Sequence, residues 1–201
     1  GYEAFHAAIQ FVYRPGPSEQ AVASAIFGLY TSLVYLTPIL GGLVADRLLG
    51  KTRTIILGGL LMAAGHFLMA FDVTFLLALL CLVLGTGCFK GNIAGQVGSL
   101  YGEGDLRRAD AFQIFYLGIN AGVIAAPLIA GTLGEKVGWH YGFGAAGVGM
   151  LIGLVTYRIR AARTLGPLGV LPSGTPEQQR TVRTVTMVGV ALIVLVMLLT
   201  M

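Results

Sequence analysis

Lys90 is the residue whose position most demands a chemical explanation. It lies in GTGCFKGNIAG (residues 85–95), directly after the apolar run 73–84, and the next charges along the chain are Asp72 and Glu103. At 1.5 Å rise per residue, each is roughly 20 Å or more away along a continuous helix. An ammonium near mid-bilayer costs at least a few kcal/mol and marks a functional position by default. Its chemistry is anion binding, toward a substrate carboxylate, an acidic partner or a wet cavity. Gly87, Gly91 and Gly95 recur every four residues beside it, a spacing that puts them on one face and lets another helix approach closely. A second stripe is Gln113, Tyr116 and Asn120, at i, i+3 and i+7. Such residues inside a membrane either bind a polar solute or hydrogen-bond a neighbouring helix. A third is Tyr2, His6, Gln10 and Tyr13, at i, i+4, i+8 and i+11. His6 titrates near neutral pH, so it either carries protons or holds a bundle hydrogen bond. Glu3 is a candidate partner for Lys90, whereas His66 and His140 read as structural. No metal-ligand cluster and no nucleophile constellation appears, so no metal, no cofactor and no enzymatic activity is expected.

These residues need helices to hold them, and composition supplies the type. The chain has 201 residues, 56% hydrophobic and 11% charged, with mean hydropathy +0.81, where a soluble domain carries about 25% charge. Thirty glycines fit packed membrane helices. Residues 1–13 read as the end of a first membrane helix, and the chain as a fragment of a longer protein. Apolar spans follow at 21–44, 54–71, 73–101, 111–133 and 141–157, with polar loops at 45–53 and 102–110. A linker over 158–180 precedes a further apolar segment, 181–201. Cys81 and Cys88 lie on one helix and cannot bridge to each other, so they read as small core residues. The basic residues fix the orientation. Ten fall on one side (Arg47, Lys51, Arg53, Arg107, Arg108, Arg158, Arg160, Arg163, Arg180 and Arg183) and two, Arg14 and Lys136, on the other. That places loops 45–53, 102–110 and 158–183 in the cytoplasm of a multi-pass protein of the cell's inner membrane. Scattered over loops, these cations do not make a nucleic-acid surface.

Three motifs then resemble a known family. GGLVADRLLGKTR (41–53) resembles the G-x-x-x-D-R-x-G-R-R signature between helices two and three of the major facilitator superfamily, with one extra residue before Gly50. Its small residues let helix ends approach, and Asp46 is expected to accept from a neighbouring helix N-terminus. The resemblance makes Gly42, Asp46, Arg47, Gly50, Lys51 and Arg53 a cytoplasmic gate motif. DAFQIFYLGINAG (110–122) is similar to the D-A-G-F-x-I-F-Y-M-G-I-N-L-G signature of proton-dependent oligopeptide transporters. Residues 85–101 are similar to that family's G-T-G-x-F-K-P-N-I-S-x-x-V-G-x-L-Y, which puts Lys90 at its helix-four lysine.

The resemblance implies an all-α membrane fold: the N-terminal six-helix bundle of a major facilitator transporter, two inverted three-helix repeats, plus the start of a further helix. The bundle would be residues 1–160, the linker 161–180, and the seventh or a peripheral helix 181–201. It implies proton-coupled symport of di- and tripeptides by alternating access, with Tyr2, His6, Tyr35, Lys90, Tyr116 and Asn120 contacting substrate and Lys90 with Glu3 coupling protons. The partners would be a small peptide, protons, the bilayer and the missing C-terminal half. Some positions depart from the pattern. Around Tyr2, Glu3 stands for a tyrosine and His6 for an arginine, the family's E-x-x-E-R-F would precede residue 1, and Gly91 replaces a proline, so the Lys90 helix is expected to be less kinked. Those departures keep open a transporter of another solute such as nitrate or a drug, and a non-transporting membrane scaffold.

Overall fold

The structure, a computed structural model, describes residues 19–169 and, beyond them, 175–177, 180, 181, 184, 187, 188 and 191. Tyr2, Glu3 and His6 lie outside the described residues, as does most of the tail. Helix α1, Glu19–Val44, continues through a π-helical turn, Ala45–Leu49, and stops at Gly50. There φ is 78°, a left-handed backbone that glycine adopts at little cost. Helix α2, Lys51–Leu68, starts at once. The predicted loop 45–53 is therefore mostly helix, with one glycine as its corner. A turn and a short 3-10 helix, Asp72–Thr74, lead into α3, Phe75–Ser99, an unbroken α-helix through Lys90 and Gly91. Thr74 closes that turn by donating to the Leu68 carbonyl at 2.6 Å.

Helix α4, Arg107–Ala126, begins three residues before the expected end of the 102–110 loop. The Asp105 carboxylate accepts from the Arg107 guanidinium at 2.8 Å and from its backbone N–H at 3.0 Å. Those donors hold the Asp105 carboxyl below the usual carboxylate range. At Pro127 the helix widens into a π-helical stretch, Pro127–Gly131, because proline lacks the N–H that would continue the α pattern. It resumes as α5, Thr132–Lys136, and turns at Gly138 into α6, Trp139–Thr164. Helix α6 is longer than the predicted 141–157 span, because Arg158, Arg160 and Arg163 extend it past the apolar stretch. Long basic side chains allow this by reaching toward the interface.

Four segments are long and apolar enough to cross a membrane: Gln20–Leu49, Asp72–Ser99, Arg107–Lys136 and Trp139–Ala161. Helix α2 is less apolar, with Lys51 and Arg53 in its first turn, and it is packed between α3 and α6. Its buried side is Thr54, Ile55, Gly58, Gly59, Ala63 and Gly65. The chain is an all-α, multi-pass membrane protein, and its described part holds five of the six expected bundle helices.

Glycines set the closeness of α1, α2 and α3. A Cβ on Gly41 of α1 would collide with the backbone carbonyl of Gly87 on α3, and one on Gly87 would lie 2.7 Å from the Thr37 side chain. On the other flank, a Cβ on Gly85 would sit 2.8 Å from the Gly58 carbonyl of α2. The expected stripe of three close-approach glycines reduces to Gly87. Gly91 faces Pro38 with ordinary spacing and Gly95 is covered by the Lys51 side chain. Tyr30, half-buried, packs on the Leu79 and Val83 core.

Candidate functional site

Lys90 projects from α3 about 14 Å before its C-terminal end and is exposed on the flank of the bundle. Its Nζ lies 4.5 Å from the centroid of the Tyr35 ring on α1. Tyr35 is itself 70% exposed. A ring face attracts the ammonium by cation–π interaction, but it uses one side of a group with three N–H donors. Among the described residues the one salt bridge is Arg107–Asp105, so no carboxylate there neutralises Lys90. Helix pairing thus presents a cation held in place on one side and open to an anion on the other.

The α4 residues are arranged differently. Tyr116 and Asn120 are both exposed, and neither hydrogen-bonds Lys90 or Tyr35. Tyr116 stands in a ladder of rings, 6.4 Å from Phe112 and 5.8 Å from Phe115. An apolar cleft of about 800 Å³ opens between α3, α4 and α6, and Gly118 and Gly122 form its α4 wall. At about 100° per residue, Tyr116 and Asn120 lie on the opposite side of α4 from those glycines. The polar stripe of α4 therefore faces away from the apolar cleft, and Gln113 shares its exposure.

Three buried polar residues escape the motif-based reading. Thr37, 3% exposed, donates to the Val83 carbonyl at 3.1 Å, and Asn92, 4% exposed, donates to the Gly41 carbonyl at 3.0 Å. Together they clasp α1 to α3 on either side of the Gly41–Gly87 contact. Asn92 is two residues from Lys90, so the clasp also fixes where the lysine emerges. At the other end Gln96, 3% exposed, accepts from the Tyr157 hydroxyl at 2.6 Å and donates to the Thr52 hydroxyl at 3.0 Å. This bond pair ties α2, α3 and α6 at one level. Their signal in the sequence is an uncharged polar residue inside an apolar span, which in membranes often serves as interhelical glue.

The same knot gathers the Arg-rich ends. Thr52 opens α2, Gln96 closes α3 and Tyr157 lies near the end of α6, as the alternation of loops requires. In the 41–53 motif, Asp46 and Arg47 are exposed in the π-helical turn. Asp46 does not cap α2, whose N-cap is Gly50 and carries no side-chain bond. The π-helical continuation of α1 leaves only one residue between the helices, too short a link for Asp46 to fold back. Cys81 and Cys88 are free thiols, and the Cys88 Cβ lies where a Gly58 side chain would go.

Comparison with known proteins places this arrangement. A family model described as the POT family matches residues 52–161. The chain is similar to a di-/tripeptide transporter of Lactococcus lactis subsp. lactis, 47% identical over 157 residues, covering 77% of this chain and 32% of that protein. It is also 43% identical to an uncharacterised transporter of Bacillus subtilis over 154 residues, 75% of this chain and 31% of that one. Among solved structures it resembles a peptide transporter POT in complex with sulfate, with TM-score 0.79 and 36% identity over 97% of this chain and 42% of the other. A POT family transporter in complex with 5-aminolevulinic acid gives TM-score 0.78 at 28% identity, covering 99% of this chain and 43% of that one. The chain spans about a third of the length of the curated relatives it matches.

Proposed function

This chain belongs to the POT family, and we propose that it supplies the N-terminal bundle of a proton-coupled symporter of di- and tripeptides that works by alternating access. The observation that carries this reading is Lys90: a mid-helix cation steadied by the Tyr35 ring at 4.5 Å, with no carboxylate in ion-pair reach among the described residues. A peptide is a small solute with a carboxylate at one end, and that carboxylate fits the open side of the ammonium. At an effective dielectric near 20, the value suited to pairs near a protein surface, a charge pair 4 Å apart gains about 4 kcal/mol.

Coupling follows from competition for one cation. With its acidic partner ionised, Lys90 is paired and substrate is excluded; protonation of that acid frees the ammonium for the peptide carboxylate. Glu3 and acids outside these 201 residues are the candidates for the partner. Tyr116 and Asn120, on the exposed stripe of α4, take the peptide's amide and carbonyl groups. Tyr2 and His6 add polar contacts from the first helix. Gly42, Asp46, Arg47, Gly50, Lys51 and Arg53 surround the corner between α1 and α2, where the rocking halves of a secondary transporter must open and close.

The test is uptake of labelled dialanine into proteoliposomes of the full-length protein, with and without an inward proton gradient. Gradient-stimulated uptake is expected, and its loss in Lys90→Ala. Uptake indifferent to the gradient would remove proton coupling, and absence of dialanine uptake beside uptake of nitrate or a drug would reassign the substrate. Unchanged dialanine uptake in Lys90→Ala would remove the lysine from the mechanism.

A further inference from the structure

Two cavities run end to end along the crevice between α3 and α6. The larger is the cleft of about 800 Å³, walled by Phe89, Gly122, Gly149 and Leu154 among other apolar groups. The smaller, about 280 Å³, ends at Arg160 and Thr164. Ile93 and Tyr157 line both, so the two cavities adjoin along one crevice. From Ala145 to Arg160 it follows about 22 Å of helix axis, more than the roughly 15 Å depth of one leaflet of the hydrocarbon core. Most polar groups along it are already bonded. Tyr157 donates to Gln96, Thr156 donates to the Ile152 carbonyl and Thr164 to the Arg160 carbonyl. Arg160 is exposed and, among the described residues, has no carboxylate partner.

The geometry points to a binding site for an anionic phospholipid of the leaflet at the Arg-rich end. Its phosphate sits on the Arg160 guanidinium, whose fork of donors matches two phosphate oxygens. One acyl chain passes Tyr157 and fills the apolar cavity, where the absent side chains of Gly149 and Gly153 leave the room. Basic pockets between membrane helices on the cytoplasmic side recognise lipid headgroups in this way. Charge and shape act together here. A free phosphate ion would satisfy Arg160 but leave the apolar cavity unfilled, whereas a zwitterionic lipid brings the same phosphate with a choline cation that the guanidinium repels. Lys90 lines neither cavity, and the site does not depend on what Lys90 binds.

The experiment is native mass spectrometry of the full-length protein in detergent, titrated separately with phosphatidylglycerol and phosphatidylcholine. The wild type is expected to retain phosphatidylglycerol preferentially. Arg160→Gln should weaken it about fivefold, the equivalent of about 1 kcal/mol per interfacial arginine, and weaken phosphatidylcholine less, so that the preference between the two lipids narrows. Gly149→Leu should weaken both lipids by filling the cavity. A Cβ there meets no atom within 4 Å, and an unchanged size-exclusion profile checks that the larger side chain leaves the fold intact. Gly144→Leu, equally open but away from the crevice, should bind as wild type. Equal retention of the two lipids, wild-type binding by Gly149→Leu, or full displacement of phosphatidylglycerol by inorganic phosphate would each overturn the assignment.

Discussion

Gly41 and Gly42 are neighbours on α1, yet a single added methyl should act oppositely at the two. At Gly41 the new carbon would collide with the Gly87 carbonyl and lie 2.9 Å from the backbone nitrogen of Cys88. Both are main-chain atoms of α3, so no side chain can swing away. The helices must part by about 1.5 Å to regain ordinary contact near 3.4 Å. That movement takes the Thr37–Val83 and Asn92–Gly41 bonds, now 3.1 and 3.0 Å, past hydrogen-bond reach. Interhelical bonds in membranes average about 0.6 kcal/mol and reach about 1.7. A gap of even 0.5–1 Å around fully buried Val83 forfeits roughly a quarter to a half of its contact energy. Gly41→Ala should therefore lose about 2–4 kcal/mol. At Gly42 nothing lies within 4 Å, and alanine is preferred over glycine in a helix interior by about 0.5–1 kcal/mol. Gly42→Ala should be neutral or stabilising. Thermal unfolding of the two variants in one detergent, followed by intrinsic fluorescence, reads the difference. Gly41→Ala is expected to melt roughly 5–10 °C below wild type, with Gly42→Ala at or above it. Equal melting of the two would refute the close α1–α3 contact.

Two further perturbations probe the site and its frame. Tyr35→Phe keeps a ring under Lys90, so its KM for dialanine should stay within about twofold of wild type, whereas Tyr35→Leu should raise it roughly two- to fivefold, the worth of a partly exposed cation–π pair; identical behaviour of the two would remove the ring from the site. Gln96→Leu removes its two bonds to the Tyr157 and Thr52 hydroxyls and should destabilise by about 1–3 kcal/mol, visible as a lower melting temperature and faster hydrogen exchange at the start of α2. Wild-type melting and exchange would show that the three helix ends are held by packing alone.

Much of the architecture is written along the chain itself. A membrane span is a matter of local composition, because each backbone bond of a helix closes within the segment. Hence the apolar runs mark the helices, and the ten-to-two bias of basic residues orders the loops. The helix ends were harder to see. Nothing local distinguishes a charged loop from a charged helical turn, so Ala45–Leu49 and the last turns of α6 read as linkers although they are helical. Lys90 stands out in sequence because a cation inside an apolar membrane span is costly wherever its helix packs. What it meets there depends on α1, whose Tyr35 lies 55 residues earlier in the chain, and only the packed bundle sets that ring against it.

The sequence by itself determined an all-helical membrane chain, its orientation, the family and the residue types able to bind an anion. Tertiary structure decided which glycines are contacts. Gly87 and Gly41 touch another backbone, while Gly91 and Gly42 do not. It also decided that Thr37, Asn92 and Gln96 are clasps, and that α4 turns its polar stripe away from an apolar cleft on α3 and α6. These outcomes depend on the rotation and separation of helices. Side chains far apart in sequence set those two quantities jointly, and no single helix encodes them.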